Sequence, residues 1–398
     1  MTRKVATRAG IAPFYVMEVM KAAAQRAQDG ADVLHLEVGQ PSTGAPAAAL
    51  AAAATTLQSD PLRYTDALGL VALRDRISRW YGERYGVTVA ADRIAVTGGA
   101  SGACVLAFLA CFDAGDRVAV AAPGYACYRN MLQALDVDVV EVPVDASSRY
   151  QITAPVLRSV LDATGPLDGL VVASPSNPTG TMLFADELDD LATLCRAHDI
   201  RLISDEIYHG ITYGSAATSA LTADADAVVV SSFSKYFSMT GWRVGWLVLP
   251  PELVTPVERL AQNLTVAPPT LAQHAALAAF DSLDELEGHV RRYDRNRLVL
   301  LDALATAGFD QVAPADGAFY LWVDVRAWTD DSQALSAIWL DELGVAVTPG
   351  LDFDPAGGHR FVRLSYAGSE ADIAAAAHRI TRWAAGVGKP VVVAEVAP

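Results

Sequence analysis

Lys235 is the side chain in this 398-residue sequence whose surroundings point most directly to chemistry. It follows the apolar run Val228-Val229-Val230, closes Ser232-Phe233-Ser234-Lys235, and is followed by Tyr236 and Phe237. An amine placed just past a buried strand, between hydroxyls and aromatic rings, is partly desolvated. Desolvation lowers its pKa and suits it to Schiff-base chemistry. The same four residues fit the Ser-x-x-Lys of penicillin-recognising enzymes, but their Ser-Asp-Asn and Lys-Thr-Gly partners are missing. A second nucleophile is conceivable at Ser101, because Gly99-Ala100-Ser101-Gly102-Ala103 nearly matches the Gly-x-Ser-x-Gly elbow of hydrolases. Ala103 replaces its second glycine, and no later histidine falls in an obvious triad loop. Neither Gly-x-Gly-x-x-Gly nor Gly-x-x-x-x-Gly-Lys-Ser/Thr occurs, so the common nucleotide loops are absent.

Such residues need elements to hold them. The middle of the chain alternates short β-rich runs with helical stretches, which predicts a largely parallel sheet covered by helices. Strands are expected at 93–97, 117–121, 170–174, 201–204, 227–231 and 244–249, with helices at 155–163 and 185–198. Ligands of such α/β folds sit in loops beyond the carboxyl ends of the strands. Here those loops are 98–102, 123–125, Pro175-Ser176-Asn177-Pro178-Thr179-Gly180, Asp205-Glu206-Ile207-Tyr208 and 232–235. After Asp284 the pattern changes to a long helix, with Val290, Tyr293, Leu300, Leu301 and Leu304 on one face, then to a smaller α+β unit with strands near 318–325 and 361–366. The alanine-rich stretch 45–54 reads as a plain helix.

Composition narrows the possible partners. The 30 basic and 46 acidic residues give a net charge of −16 with no sustained basic block, which argues against a phosphate-tracking groove for nucleic acid and against anionic membranes. Mean hydropathy is +0.25, yet no run reaches the roughly 18 apolar residues of a membrane span. The basic N-terminus is not followed by an apolar signal core, and Cys104, Cys111, Cys127 and Cys195 form no Cys-x-x-Cys pair. A cytoplasmic setting with reduced thiols is the expectation. No His/Cys cluster has zinc spacing, so no metal is expected.

Four motifs occur in fixed order: Ser174-Pro175-Ser176-Asn177-Pro178-Thr179-Gly180, Ser204-Asp205-Glu206-Ile207-Tyr208, Ser232-Phe233-Ser234-Lys235 and Gly241-Trp242-Arg243-Val244-Gly245. Together they resemble the class I aminotransferases of the fold-type I pyridoxal-phosphate enzymes, over nearly the whole chain from Gly39 to Arg363. The resemblance implies an α/β fold with a large, mostly parallel seven-stranded sheet domain and a smaller α+β domain. It places an arm and part of the small domain at 1–46, the cofactor domain at 47–284 and the rest of the small domain at 285–398. It also implies pyridoxal 5′-phosphate as cofactor and a homodimer with sites at the subunit interface.

Carried over residue by residue, the resemblance makes Lys235 the lysine that joins the cofactor covalently and later carries a proton between the substrate Cα and the cofactor C4′. Asp205 would pair with the pyridine nitrogen, Asn177 and Tyr208 would bind the phenolic oxygen, and Tyr125 would stack on the ring. The phosphate would lie against the 98–102 loop, with the Ala100 backbone and the Ser101 hydroxyl, and against Ser232 and Arg243. Tyr64 would reach it from the second subunit. Arg363 would bind the substrate α-carboxylate, approached closely by Gly39 and flanked by Asn177.

Side-chain specificity follows from a missing cation. Dicarboxylate-specific relatives hold a second carboxylate with an added arginine or lysine, yet Gln262 stands near the first such position and 103–112 contains no basic residue. A buried carboxylate without a cation is costly. The substrates expected are therefore small or branched apolar amino acids, such as alanine or valine, with pyruvate or 2-oxoisovalerate. Ile11, Phe14 and Tyr15 are the expected pocket wall. A pyridoxal-phosphate lyase or oxidase of an amino acid is the alternative, since the motifs specify the cofactor and not the fate of the substrate.

Overall fold

The computed structural model describes residues 3–387. The outermost residues of the two terminal segments expected above, 1–2 and 388–398, lie outside them. In chain order the strands are β1 (Leu34–His35), β2 (Ile94–Thr97), β3 (Arg117–Ala122), β4 (Asp138–Pro143), β5 (Gly169–Ala173), β6 (Arg201–Asp205), β7 (Val228–Ser232), β8 (Gly245–Val248), β9 (Tyr320–Asp324), β10 (Val345–Ala346), β11 (Thr348–Pro349) and β12 (Phe361–Ser365).

Seven of these form one sheet in the order β2-β8-β7-β6-β5-β3-β4. All its neighbours are parallel except β8, which lies antiparallel between β2 and β7. Every residue of β7 and β8 is buried, so these strands read as continuous apolar runs, as expected where helices cover both faces. β4 is the strand that the apolar pattern missed. It lies at the sheet edge, with Asp138 and Glu141 exposed, and its charged residues hide it from a search for hydrophobic runs.

The expected helices form at Ala154–Thr164 and Ala185–Ala197, and the alanine-rich stretch becomes Ala47–Ser59. The long helix is Leu283–Thr306. It buries Val290, Tyr293, Leu300 and Leu304, while Leu301 is only partly covered.

A three-stranded antiparallel sheet, in the order β11-β12-β9, presents Arg363 from its central strand. Near it, β1 pairs in parallel with β10, so chain from both sides of the large sheet meets in one place. One hydrophobic cluster reaches across both sheets, with Leu73, Val229, Val323 and Leu364 in it.

Asn296, buried on the long helix, ties that helix to the end of β12. Its side-chain amide donates to the carbonyls of Tyr366 and Gly368, both at 3.0 Å. Replacing it by alanine orphans both acceptors. Asn296→Ala is expected to cost about 1–3 kcal/mol of folding stability, read as a lower denaturant midpoint at unchanged slope.

Candidate active site

Because β5, β6 and β7 are parallel neighbours, their carboxyl ends emerge side by side. The register sets Ala173 opposite Asp205 and Asp205 opposite Val230. The loops that follow must therefore deliver Asn177, Tyr208 and Lys235 to one place, with Asp205 closing β6. A cavity of about 310 Å³ opens there. Of the residues expected at the site, Gly39, Ala100, Ser101, Tyr125, Asn177, Asp205, Tyr208, Lys235, Arg243 and Arg363 all line it.

Two expected residues stand apart. Ser232 is buried outside the cavity lining, its hydroxyl donating to the Val244 carbonyl at 3.0 Å and accepting the Ser234 N–H at 3.1 Å. Ser234 takes its place on the cavity wall. Tyr64 is 83% exposed and does not line the cavity of its own chain.

The Lys235 amine donates to the Gly39 carbonyl at 2.6 Å. Burial pushes its pKa down to about 8, helped by the Arg363 and Arg243 cations and opposed by Asp205. Asp205 is buried too, and burial lifts it to about 6 against the hydrogen bonds that favour its charged form. Those bonds come from the Tyr128 hydroxyl to Oδ2 and from the Ile207 N–H to Oδ1 at 2.9 Å.

Beside Asp205, Glu206 accepts from the Ser219 hydroxyl at 2.9 Å and the Ala220 N–H at 2.8 Å, and burial raises it to about 8. His209, driven by burial down to about 3, stays neutral. Its Nε2 donates to the Ser174 carbonyl at 2.9 Å, which fixes the loop carrying Asn177.

Arg363 is 2% exposed. Its Nη1 donates to Asn177 Oδ1 at 2.9 Å, and its Nη2 to the Glu37 carbonyl and to Thr348 Oγ1 at 3.3 Å. Nε is a buried donor without a partner among the described residues. Elsewhere on the cavity wall stand Ala100 and Ser101, in the first turn of the helix Gly99–Cys111. Arg243 lies against that first turn, and only glycine lets it do so: a Cβ on Gly99 would sit 2.5 Å from Nη2. Free N–H groups, a hydroxyl and a planar cation make an anion cradle.

The wall facing these polar groups comes from the helix Tyr15–Gln28. Asp352 holds its first turn, accepting the N–H groups of Tyr15 and Val16 at 3.1 Å each. Phe14 lines the cavity as expected, but Ile11 is 48% exposed and neither it nor Tyr15 lines it. Helical spacing explains the correction: once the helix starts at Tyr15, the inward face is Val16, Met17 and Met20.

Tyr128, Tyr320 and Met131 were also missed. Tyr128 and Met131 stand one and two turns beyond Tyr125, so a helix read as following that loop would have pointed to both. Tyr320 lies inside a strand that was expected, with nothing in its pattern to mark it.

The family model for aminotransferases of class I and II matches residues 31–380. The chain belongs to that family. Valine-pyruvate aminotransferase of Mycobacterium tuberculosis is 50% identical over 96% of this chain and 99% of its own. Arginine-pyruvate transaminase of Pseudomonas aeruginosa is 34% identical over 90% of this chain and 92% of its own. The crystal structure of an aminotransferase from M. tuberculosis superposes with a TM-score of 0.94 at 49% identity, covering 97% of this chain and all of that one.

This transaminase moves an amino group between an amino acid and a 2-oxo acid, and its cofactor is pyridoxal phosphate. The residues present suit that group: one cavity brings together an anion cradle, a buried carboxylate, a lysine of lowered pKa and a guanidinium nitrogen without a partner among the described residues. Among the described residues no helix is long and apolar enough to cross a membrane, and no acid, histidine and cysteine cluster could hold a metal. All four cysteines are free.

In the cofactor-free transaminase, Lys235 should titrate near pH 8, charged below that value and a neutral nucleophile above it. The pH profile of its labelling by an amine-specific reagent measures this. Asp205→Asn, which removes the negative charge opposing the shift, is expected to move the profile to lower pH.

Proposed function

We propose that this transaminase acts on small or branched apolar amino acids, valine and alanine among them, with pyruvate or 2-oxoisovalerate as 2-oxo acid. One observation carries the reading. Lys235, Arg243 and Arg363 are the cations of the cavity among its described lining residues, and all three are engaged elsewhere in the reaction. What remains for the substrate side chain is apolar wall: Val16, Met17, Met20, Met131 and Ile207. A second carboxylate there would lose its hydration without gaining a partner. The 50% identical relative is named for valine and pyruvate, which supports the same choice.

Pyridoxal phosphate, when bound, supplies a conjugated ring that delocalises negative charge developing at the substrate Cα. Arg243, Ser101, Ser234 and the backbone N–H groups at Ala100 would hold the phosphate, with Ser232 hydrogen-bonded to Ser234 behind it. Asp205, ionised, would pair with the ring nitrogen, Asn177 and Tyr208 would donate to the phenolic oxygen, and Tyr125 would pack against the ring. Arg363 clamps the α-carboxylate beside Gly39 and Asn177. Lys235, attached to the protein at the right place, carries the Cα proton, and tethering is the source of its advantage.

The enzyme works as a homodimer in the cytoplasm, with Tyr64 of the partner subunit completing the phosphate site. The exposed apolar side chains of Leu62, Tyr64, Leu264 and Val266 support the dimer, as does a surface depression that shares Thr240 with the cavity. The division at 1–46, 47–284 and 285–398 forms part of the same proposal.

Steady-state kinetics should give valine and alanine kcat/KM values about tenfold or more above aspartate, the cost of burying an unpaired carboxylate. A higher value for aspartate would overturn the substrate assignment. Sedimentation should report a two-chain mass, and Tyr64→Ala should weaken cofactor retention while leaving that mass unchanged.

A further inference from the structure

Tyr320 touches more of this site than its absence from the motifs would suggest. It is 1% exposed and lines the cavity from β9. Its hydroxyl lies 2.7 Å from that of Tyr208. The same hydroxyl presses against Gly39, where a Cβ would come within 1.8 Å of it, and the Gly39 carbonyl is the acceptor of the Lys235 amine. The Arg363 guanidinium lies over its ring, 4.5 Å from the centroid. This follows from the register: β12 sets Arg363 opposite Trp322 and Ser365 opposite Tyr320, so Arg363 and Tyr320 are diagonal neighbours on one face.

We propose that Tyr320 is a positioning residue of the transamination reaction, its hydroxyl donating to Tyr208 so that the Tyr208 proton is directed at the phenolic oxygen of the cofactor. The proposal rests on the cofactor assignment made above. A phenol carries one proton. If Tyr208 gives its proton to the cofactor, the bond between the two tyrosines has Tyr320 as its donor. Two hydroxyls donating in the same direction polarise each other, so the second strengthens the first. Burial raises both phenols and the Arg363 cation opposes that rise at each, but Tyr208 is pushed up further than Tyr320, which leaves Tyr320 the readier proton donor. Gly39 presses on the Tyr320 hydroxyl and Arg363 covers its ring, so Tyr320 is packed against the same residues that hold the lysine and would hold the carboxylate.

Without the Tyr320 hydroxyl, Tyr208 is a weaker donor and the phenolic oxygen stays more basic. The apparent pKa of the visible absorbance of the cofactor-loaded enzyme then rises. The experiment is a pH titration of that absorbance in the wild type, Tyr320→Phe, Tyr208→Phe and the double variant. Tyr320→Phe keeps the ring and its packing. It should raise the apparent pKa by about 0.5–1 unit, the weight of one hydrogen bond. Tyr208→Phe should raise it further, and the double variant should match Tyr208→Phe alone.

An unmoved pKa in Tyr320→Phe overturns the proposal. So does a Tyr320→Phe shift that persists undiminished when Tyr208 is already removed, or one that exceeds that of Tyr208→Phe, since a residue acting through Tyr208 cannot contribute more than Tyr208 does. A wild-type protein with no titrating visible band overturns the cofactor assignment itself, and Tyr320 with it.

Discussion

Desolvation is the constraint on which this active site rests. An amine, a carboxylate and a guanidinium share one cavity, and each would be costly to bury alone. Removing water brings Lys235 and Asp205 toward each other on the pH scale, to about 8 and about 6, so the amine can lose its proton near neutrality while the carboxylate keeps its charge. Lys235 follows directly on β7, every residue of which is buried, and that placement is what takes its amine out of water. Parallel pairing of β5, β6 and β7 is what brings several such groups to one place, since a parallel sheet gathers its carboxyl ends on one edge.

The same constraint settles how a chain of net charge −16 can favour anions. The distant acidic surface is screened by salt over about 10 Å, whereas Arg243 and Arg363 act at contact, each held by hydrogen bonds to protein oxygens. Each of them depends on a glycine nearby: Gly99 lets Arg243 reach the helix terminus, and Gly39 leaves room for Tyr320 under Arg363. Position matters more than net charge here because the interaction falls off so steeply in water.

Much of this was legible in the sequence, for reasons that differ from residue to residue. β7 could be read because burial on both faces makes an uninterrupted apolar run, and Lys235 because it follows that run directly. Asn177, Asp205 and Arg243 were legible through motifs in which neighbours reinforce one another. β4 was not, because an edge strand alternates with charges. The wall residues Met17 and Met20 were missed because helix phase depends on where Asp352 catches the first turn, a contact between residues more than three hundred positions apart. Tyr320 was invisible for a similar reason: its neighbours Tyr208, Gly39 and Arg363 are all remote in sequence, and its own strand offers no local sign of them.

The single antiparallel strand has a consequence for how the molecule is made. β2 has β8 as its one neighbour in the large sheet, with Ile94 facing Val248, so it cannot join the sheet until that much later stretch has left the ribosome. The helix that begins at Gly99 waits with it, its N-terminus unplaced while β3, β4, β5, β6 and β7 can already be assembling in order. Long-range pairing of this kind is slow. The phosphate cradle is therefore among the last parts of the large sheet to form during synthesis, and a nascent chain has no complete cofactor site to offer before its strands are closed by β8.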